Sequence, residues 1–272
     1  MKTAPDQDKP EVAPAEADLA ARTLREAGLV VLDDVVPLDF VAGLRADYEV
    51  RLEKQIADRG GLAALDGKTF GKNQFGMHLP LVSPWSDERI VAHPRVVTVL
   101  ERAIGADFVC SFYHSNTAYP GSQTQPIHRD TGHLFGPHEM SVPTPATHIV
   151  LNVPLVDFTA ENGSTEVWPG SHLVVDRSPE ERKEAAARAA ALPSIRANVR
   201  AGSIVLRDLR LWHRGMPNQE GYARPMLAIV YARGWLVQEP PLAVPQSTWD
   251  GWNERTQRIF RRNKIVPDTT NA

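Results

Sequence analysis

Cysteine is almost missing from this chain: Cys110 is the only one in 272 residues. One thiol excludes an intrachain disulfide and fits a reducing compartment, so a cytoplasmic setting is expected. It also leaves any transition-metal site to be built mainly from histidines and carboxylates. Long apolar runs are absent too, since none approaches the roughly 18 residues that a membrane helix needs. The first ten residues, Met1 to Pro10, lack the apolar core of a secretory signal. Neither sign of charge is in large excess: 30 Lys and Arg stand against 33 Asp and Glu, a formal net charge of −3. Without a basic field, neither nucleic acid nor an anionic membrane is an expected partner. Nothing in the pattern fixes an oligomeric state.

What is present is an ordinary globular composition, 42% hydrophobic, long enough to bury one large core. Residues 1–16 are rich in Pro, Ala and acids and are expected to be a disordered tail. The remainder, 17–267, is expected to be a single domain. From Asp18 the apolar spacing is helical (Leu19, Leu24, Ala27), with Gly28 as the stop. Leu29 to Leu32 predicts a buried strand. Pro37 opens a second helix whose apolar positions run from Phe40 to Ile56, closed by Gly60-Gly61. Residues 62–92 carry aromatics and turn formers and read as irregular structure suited to lining a pocket. Pro94 starts a short helix that ends at Gly105.

Strand-like runs then follow at 107–119, 125–131, 147–156, 165–168, 198–200, 203–208 and 225–237. Many short strands with regular turns imply a mainly β sandwich or barrel with flanking helices. One helical insertion interrupts them near 178–192, opening at Ser178-Pro179-Glu180-Glu181 with the signature of a capping box. Trp249 and Trp252 lie on a C-terminal helix reaching Phe260. Arg258, Arg261, Arg262 and Lys264 read as its solvated end.

The chemistry concentrates in Gln125-Pro-Ile-His-Arg-Asp130. On a strand, His128 and Asp130 at i and i+2 point to one face. They supply two of the three ligands of a two-histidine-one-carboxylate iron site. His213, in Leu211-Trp-His-Arg-Gly215, is the candidate for the third. Arg224 heads a strongly apolar strand, where a guanidinium is costly unless it meets an anion. Its fork suits a carboxylate. His133 and His138 flank a Gly-Pro break and read as loop histidines, with His133 near the substrate as the alternative. Ser171-His172 lacks a nucleophile elbow and reads as part of a turn.

Three blocks in order carry a resemblance: Gln125 to Asp130, Glu161 to His172 (Glu-Asn-Gly-Ser-Thr-Glu-Val-Trp-Pro-Gly-Ser-His), and His213 to Asn218 with Arg224-Pro-Met. The sequence resembles the phytanoyl-CoA dioxygenase-like branch of the Fe(II)/2-oxoglutarate-dependent oxygenases over roughly residues 18–237. The resemblance implies a double-stranded β-helix, the jelly roll of cupins. It implies that His128, Asp130 and His213 ligate Fe(II), that Arg224 binds the distal carboxylate of 2-oxoglutarate, and that O₂ is the second co-substrate. Gln125 and Thr165 match positions that hydrogen-bond the co-substrate in relatives, and Asn73 or Gln74 is a further candidate. Met226 departs from the hydroxyl that many such enzymes carry two residues after the arginine. Asp130 favours oxygen insertion over halogenation, because halogenating relatives lack that carboxylate.

The function expected is hydroxylation of a small organic molecule, free or CoA- or carrier-bound, with release of succinate and CO₂. Phe75, Met77, His78, Tyr113, His133, Phe135 and Trp235 suggest a partly apolar substrate pocket, for a lipid-like or a polycyclic natural product. Two alternatives stay open: a cupin-like metal-dependent isomerase or epimerase without a carboxylate clamp, and a non-catalytic ligand-binding member of the fold.

Overall fold

The computed structural model describes residues 13–65, 71–136, 138–176, 184–237 and 239–268. Its frame is a six-stranded antiparallel sheet built from β1 (Leu29–Leu32), β2 (Gln74–Phe75), β3 (Val109–Ala118), β4 (His148–Pro154), β7 (Ile204–Asp208) and β9 (Arg224–Ala232). The order across it is β1-β7-β4-β9-β3-β2. A smaller sheet of β5 (Glu166–Val167), β6 (Ile195–Arg196) and β8 (His213–Arg214) has the order β6-β5-β8. Cavity-facing residues of both sheets line one cavity, the jelly-roll arrangement.

Period-two alternation divides the large sheet. On β9, Leu227, Ile229 and Tyr231 pack into the main core, whereas Arg224, Met226, Ala228 and Val230 line the cavity. Helices cover the core face: α1 (Pro14–Ala27), α2 (Leu38–Asp58), α3 (Glu88–Val91) and α4 (Pro94–Ile104). α4 buries Val96, Val97, Val99, Leu100, Ala103 and Ile104. A fully buried Leu or Ile of this kind contributes about 1.5–3 kcal/mol. From α2, the Tyr48 hydroxyl reaches Ser115 Oγ at 2.8 Å and Thr117 Oγ1 at 2.7 Å, which ties the helix to β3. Among the described residues, no helix is long and apolar enough to cross a membrane.

Several boundaries differ from the sequence reading. α1 starts at Pro14, because proline is well placed in a first helical turn, so residues 14–16 belong to the helix and not to a tail. The run 125–131 is not a continuous strand. It makes one bridge, His128 with His213, since Pro126 has no N–H to donate and β8 is only two residues long. Val199 likewise makes one bridge, with Phe158, and the paired strand falls instead on Ile195–Arg196. β9 stops at Ala232 and the chain turns at Arg233–Leu236.

In the insertion, α5 (Ala185–Ala190) is helical, while the Ser178–Glu181 cap lies outside the described residues. The C-terminal helix is two helices, α6 (Gln246–Gly251) and α7 (Glu254–Phe260). They are split where Asn253 accepts from Thr256 N and caps the second. Short parallel strands β10 (Ala243–Pro245) and β11 (Lys264–Val266) flank them.

Candidate active site

The bridge between His128 and His213 sets the site. His128 N donates to His213 O at 3.0 Å and His213 N returns the bond at 2.9 Å, so both rings leave the same point of the barrel. Asp130 N donates to Leu209 O, which aims its carboxylate back toward the two rings. The ligand atoms of His128, Asp130 and His213 all lie within 4.8 Å of one another. Asp130 Oδ1 is 3.7 Å from His128 Nε2 and 3.5 Å from His213 Nε2. That opening suits a first-row cation, whose bonds to nitrogen and oxygen are about 2 Å.

The tautomers follow from the carbonyls behind the rings. His128 Nδ1 is 2.9 Å from Pro126 O, and His213 Nδ1 is 3.0 Å from Leu211 O. A carbonyl only accepts, so both Nδ1 atoms carry the proton and both Nε2 lone pairs face Asp130. Burial lowers the His213 pKa to about 3, with the Arg207 guanidinium acting in the same direction. Burial alone would raise Asp130, but Arg207 and the two imidazoles outweigh it and leave the carboxyl at about 2. His213 and Asp130 are thus held in the deprotonated forms that a metal needs at neutral pH.

These groups sit in a cavity of about 390 Å³. At its open end Phe112 is 39% exposed, and the side chains of His128 and Asp130 are 40% and 35% exposed. At its deep end Arg224 is 4% exposed and packs 4.4 Å above the Phe158 ring, beside Thr165 and Met226 in the cavity wall. The Arg224 Nε and Nη1 atoms are buried and have no hydrogen-bond partner. Burial lowers its pKa to about 10, so it remains cationic at neutral pH. A buried guanidinium with two unsatisfied donors fits a dianionic co-substrate whose carboxylate comes from outside the chain.

Gln125 lines the same cavity and its Oε1 accepts from Gly215 N at 2.8 Å. Asn73 does not reach it. With φ of +52° it turns away, and its amide donates to Pro120 O at 2.7 Å. Gln74, next in the chain, lines the cavity instead and donates to Gln123 O.

The residues named for the substrate separate in four ways. Phe75 lines the cavity. Met77 and Tyr113 belong to the helix-facing core, and the Tyr113 hydroxyl donates to Trp85 O, so neither faces the cavity. The reason is a register shift in β3 between Cys110 and Phe112, after which Phe112, His114 and Asn116 face inward and Tyr113 outward. His78 is exposed and packs edge-on against His114, with ring centres 4.6 Å apart, without itself lining the cavity. His133, Phe135 and Trp235 lie outside the cavity lining. His133 Nε2 meets Val174 O at 3.0 Å, and Phe135 and Trp235 are exposed, in the segments before β4 and after β9. Arg207, His114, Asn116 and Asn152 line the cavity and escaped the sequence reading. A detectable signal existed for Arg207, a guanidinium directly after the apolar run Ile204 to Leu206, the same cue that singled out Arg224.

Apart from Thr165, the middle motif is structural. Gly163 has φ of +83°, and a side chain there would meet Met216 O at 2.5 Å, so the turn packs directly on the segment after His213. Farther on, Gly170 N donates to Ala27 O and Ser171 Oγ accepts from Trp212 N, which docks the motif on α1 and beside β8. His172 is bonded to Arg25 O and serves that docking.

Known proteins agree with this architecture. A family model described as phytanoyl-CoA dioxygenase (PhyH) matches residues 24–226. Dioxygenase trt7 of Aspergillus terreus is 27% identical over 168 residues, 60% of this chain but only 57% of trt7. The iron/α-ketoglutarate-dependent dioxygenase ausO of Aspergillus calidoustus is 25% identical over 286 residues, 97% of this chain and 90% of ausO. Among solved structures, AviO1 from Streptomyces viridochromogenes has a TM-score of 0.61 at 24% identity, covering 84% of this chain and 100% of AviO1. The non-haem α-ketoglutarate-dependent carbocyclase SnoK from nogalamycin biosynthesis has a TM-score of 0.60 at 21% identity, covering 79% and 83%. The structural likenesses establish the jelly roll, and the family match spans both histidines, the carboxylate and the arginine. The chain belongs to the phytanoyl-CoA dioxygenase family of Fe(II)- and 2-oxoglutarate-dependent oxygenases.

Proposed function

We propose that this oxygenase hydroxylates a small, largely apolar organic molecule of the natural-product kind, in a reducing cytoplasm. The observation that carries the proposal is one cavity with a two-histidine-one-carboxylate cluster near its mouth and an unpartnered buried guanidinium at its floor. His128, Asp130 and His213 would hold the metal on one face, and Arg224 would take the distal carboxylate of 2-oxoglutarate. Thr165 and Gln125, which line the same cavity, would add hydrogen bonds. Bound iron with 2-oxoglutarate and O₂ supplies a two-electron oxidation: one oxygen atom enters the substrate C–H bond, and the other enters succinate as CO₂ leaves.

Substrate binding falls to the wall between these ends. Phe112, Val150, Leu209, Ala228 and Val230 are apolar, and His114, Asn116 and Asn152 are neutral hydrogen-bonding groups. Burial beside His78 holds the His114 pKa at about 4, so it is uncharged at pH 7. The nogalamycin pathway membership of SnoK and the single buried Cys110 support the natural-product and cytoplasmic parts of the reading.

The test is succinate release from 2-oxoglutarate on adding Fe(II), ascorbate and a panel of neutral polycyclic and lipid-like substrates, free and as CoA thioesters. Substrate-dependent succinate with a product heavier by one oxygen atom is expected. Failure to bind either Fe(II) or 2-oxoglutarate would overturn the reading. Binding with isomerised product and no succinate would favour a cupin-like isomerase.

A further inference from the structure

The cavity holds a second buried guanidinium that the reading above does not use. Arg207 lies on the cavity face of β7, 7% exposed, with Val205 and Val150 beside it. Its Nη2 donates to Asp130 Oδ2 at 2.7 Å. Its Nη1 lies 3.2 Å from His213 Nδ1, whose proton is already directed at Leu211 O, so that approach is a charge contact and not a hydrogen bond. The two oxygens of Asp130 are thereby divided. Oδ1 is the atom that faces both Nε2 atoms, and Oδ2 is held by the arginine.

That division matters because a carboxylate can bind a metal through one oxygen or through two. Three single-atom protein ligands leave three positions of an octahedral ion, two for the keto acid and one for O₂. A carboxylate swung round to bind through both oxygens would remove one of them. Packing offers no competing reason for the charge. The ion pair with Asp130 is part-exposed and contributes only about 1 kcal/mol, so a buried cation here calls for a role beyond stability.

We infer that Arg207 is a positioning residue that holds Asp130 to a single metal-facing oxygen, and so keeps open the co-substrate's place on the metal. The inference rests on the metal-site reading above. Lysine cannot reproduce it fully. A guanidinium grips Oδ2 with a planar N–H and keeps a second amine near His213, whereas an ammonium is a point charge on a flexible stem.

The experiment uses full-length native, Arg207→Leu, Arg207→Gln and Arg207→Lys proteins freed of metal. Each is titrated with Co(II), a spectroscopic probe indifferent to O₂ turnover. Each is then titrated with 2-oxoglutarate in the Co(II)-loaded form, followed by visible absorption and calorimetry. Melting of the metal-free proteins reads the fold separately. For Arg207→Leu, Co(II) affinity is expected to fall by about 10–100-fold, the usual effect of losing a partner behind a ligand. The affinity of the Co(II)-loaded form for 2-oxoglutarate should fall further, by about tenfold, with a changed absorption band. Arg207→Lys should recover part of both losses. Should the leucine variant not fold, Arg207→Gln, which keeps an N–H but no charge, is read in its place, with a smaller loss of the same kind. A folded variant that matches native in both titrations, with only its metal-free melting temperature moved, shows a purely structural arginine and overturns the inference. Native protein that takes up no Co(II) overturns the metal reading itself, and this inference with it.

Discussion

The two ends of the cavity each carry a buried arginine, and the two arginines are kept in opposite states. At the deep end, Arg224 faces Phe158 with Nε and Nη1 unsatisfied. At the open end, Arg207 is satisfied by Asp130 at 2.7 Å. Burying a cation without a partner costs several kcal/mol, so such a group persists only where something arriving later repays the cost. The deep end is therefore organised for a ligand, and the open end is already organised by the chain. A partnered charge positions its neighbour, whereas buried donors without a partner suit an incoming anion.

The sharpest break in that comparison is Arg224→Leu. Losing a buried charge-assisted grip costs about 2–5 kcal/mol, so 2-oxoglutarate affinity should fall at least about 100-fold. The metal-free protein should melt higher, because an unpaired buried cation has gone, by about 1–3 kcal/mol of stability. Arg207→Leu should move the metal-free protein the other way. Its partner Asp130 is 35% exposed, so solvent limits the loss to about 1 kcal/mol. Calorimetric 2-oxoglutarate titrations and urea unfolding of both variants measure this. Stability shifts of the same sign in both would break the contrast.

Acid should act on the open end and leave the deep end alone. The folded pKa of His213 is about 3, below the ordinary value of 6.5. Between those values the unfolded chain binds a proton that the folded chain refuses. Stability from this group is present above pH 6.5 and is lost as pH falls toward 3, by up to about 1.4 kcal/mol per pH unit. Asp130 adds its own loss from about pH 4 down to its folded value of about 2. Arg224, at about 10, stays charged throughout that range. Urea unfolding of the metal-free protein at pH 7, 6, 5 and 4 should show a slope that His213→Asn reduces and Arg224→Leu does not. His114, at about 4, and His133, His148 and His172, all lowered by burial, titrate in the same direction and account for the slope that remains.

The site's chemistry was more legible than its walls. The i, i+2 spacing of His128 and Asp130 and the apolar strand behind Arg224 are local patterns with a physical cost attached, and both can be read from one segment. Which face a strand residue takes is not local. In β3 one irregular step near Cys110 exchanges the two faces, so Tyr113 joins the core while Phe112, His114 and Asn116 face the cavity. Asn73 looked equivalent to Gln74 until a positive φ turned it toward Pro120. Arg129, between the two candidate ligands, had no assignment from sequence. It points to the opposite face, pairs with Asp176 at 3.1 Å and lies 5.5 Å from the centre of the Trp212 ring, tying the ligand segment to the insertion. The helices read well because their punctuation is covalent: Pro94 opens α4 and Gly105 closes it.

The smallest expected effect tests whether the deep end depends on charge alone. Thr165 lines the cavity within the middle motif, and its backbone carbonyl accepts from Ala197 N, so its placement does not rely on the hydroxyl. Thr165→Val keeps the shape and removes one oxygen. Gln125→Ala is a poorer probe, since Gln125 Oε1 also holds Gly215 N and its loss would loosen the loop after His213. A neutral hydrogen bond to a charged ligand is worth about 1.5–3 kcal/mol when fully buried, and Thr165 is only half-buried. The valine variant should therefore weaken 2-oxoglutarate binding by about three- to tenfold, with the metal-free melting temperature unchanged. A native affinity in Thr165→Val would mean that Arg224 alone anchors the distal carboxylate. Met226 would then have replaced the hydroxyl of related enzymes without compensation from Thr165. A loss as large as that of Arg224→Leu would mean that the hydroxyl orients the guanidinium's ligand, and that the deep end is organised by geometry as much as by charge.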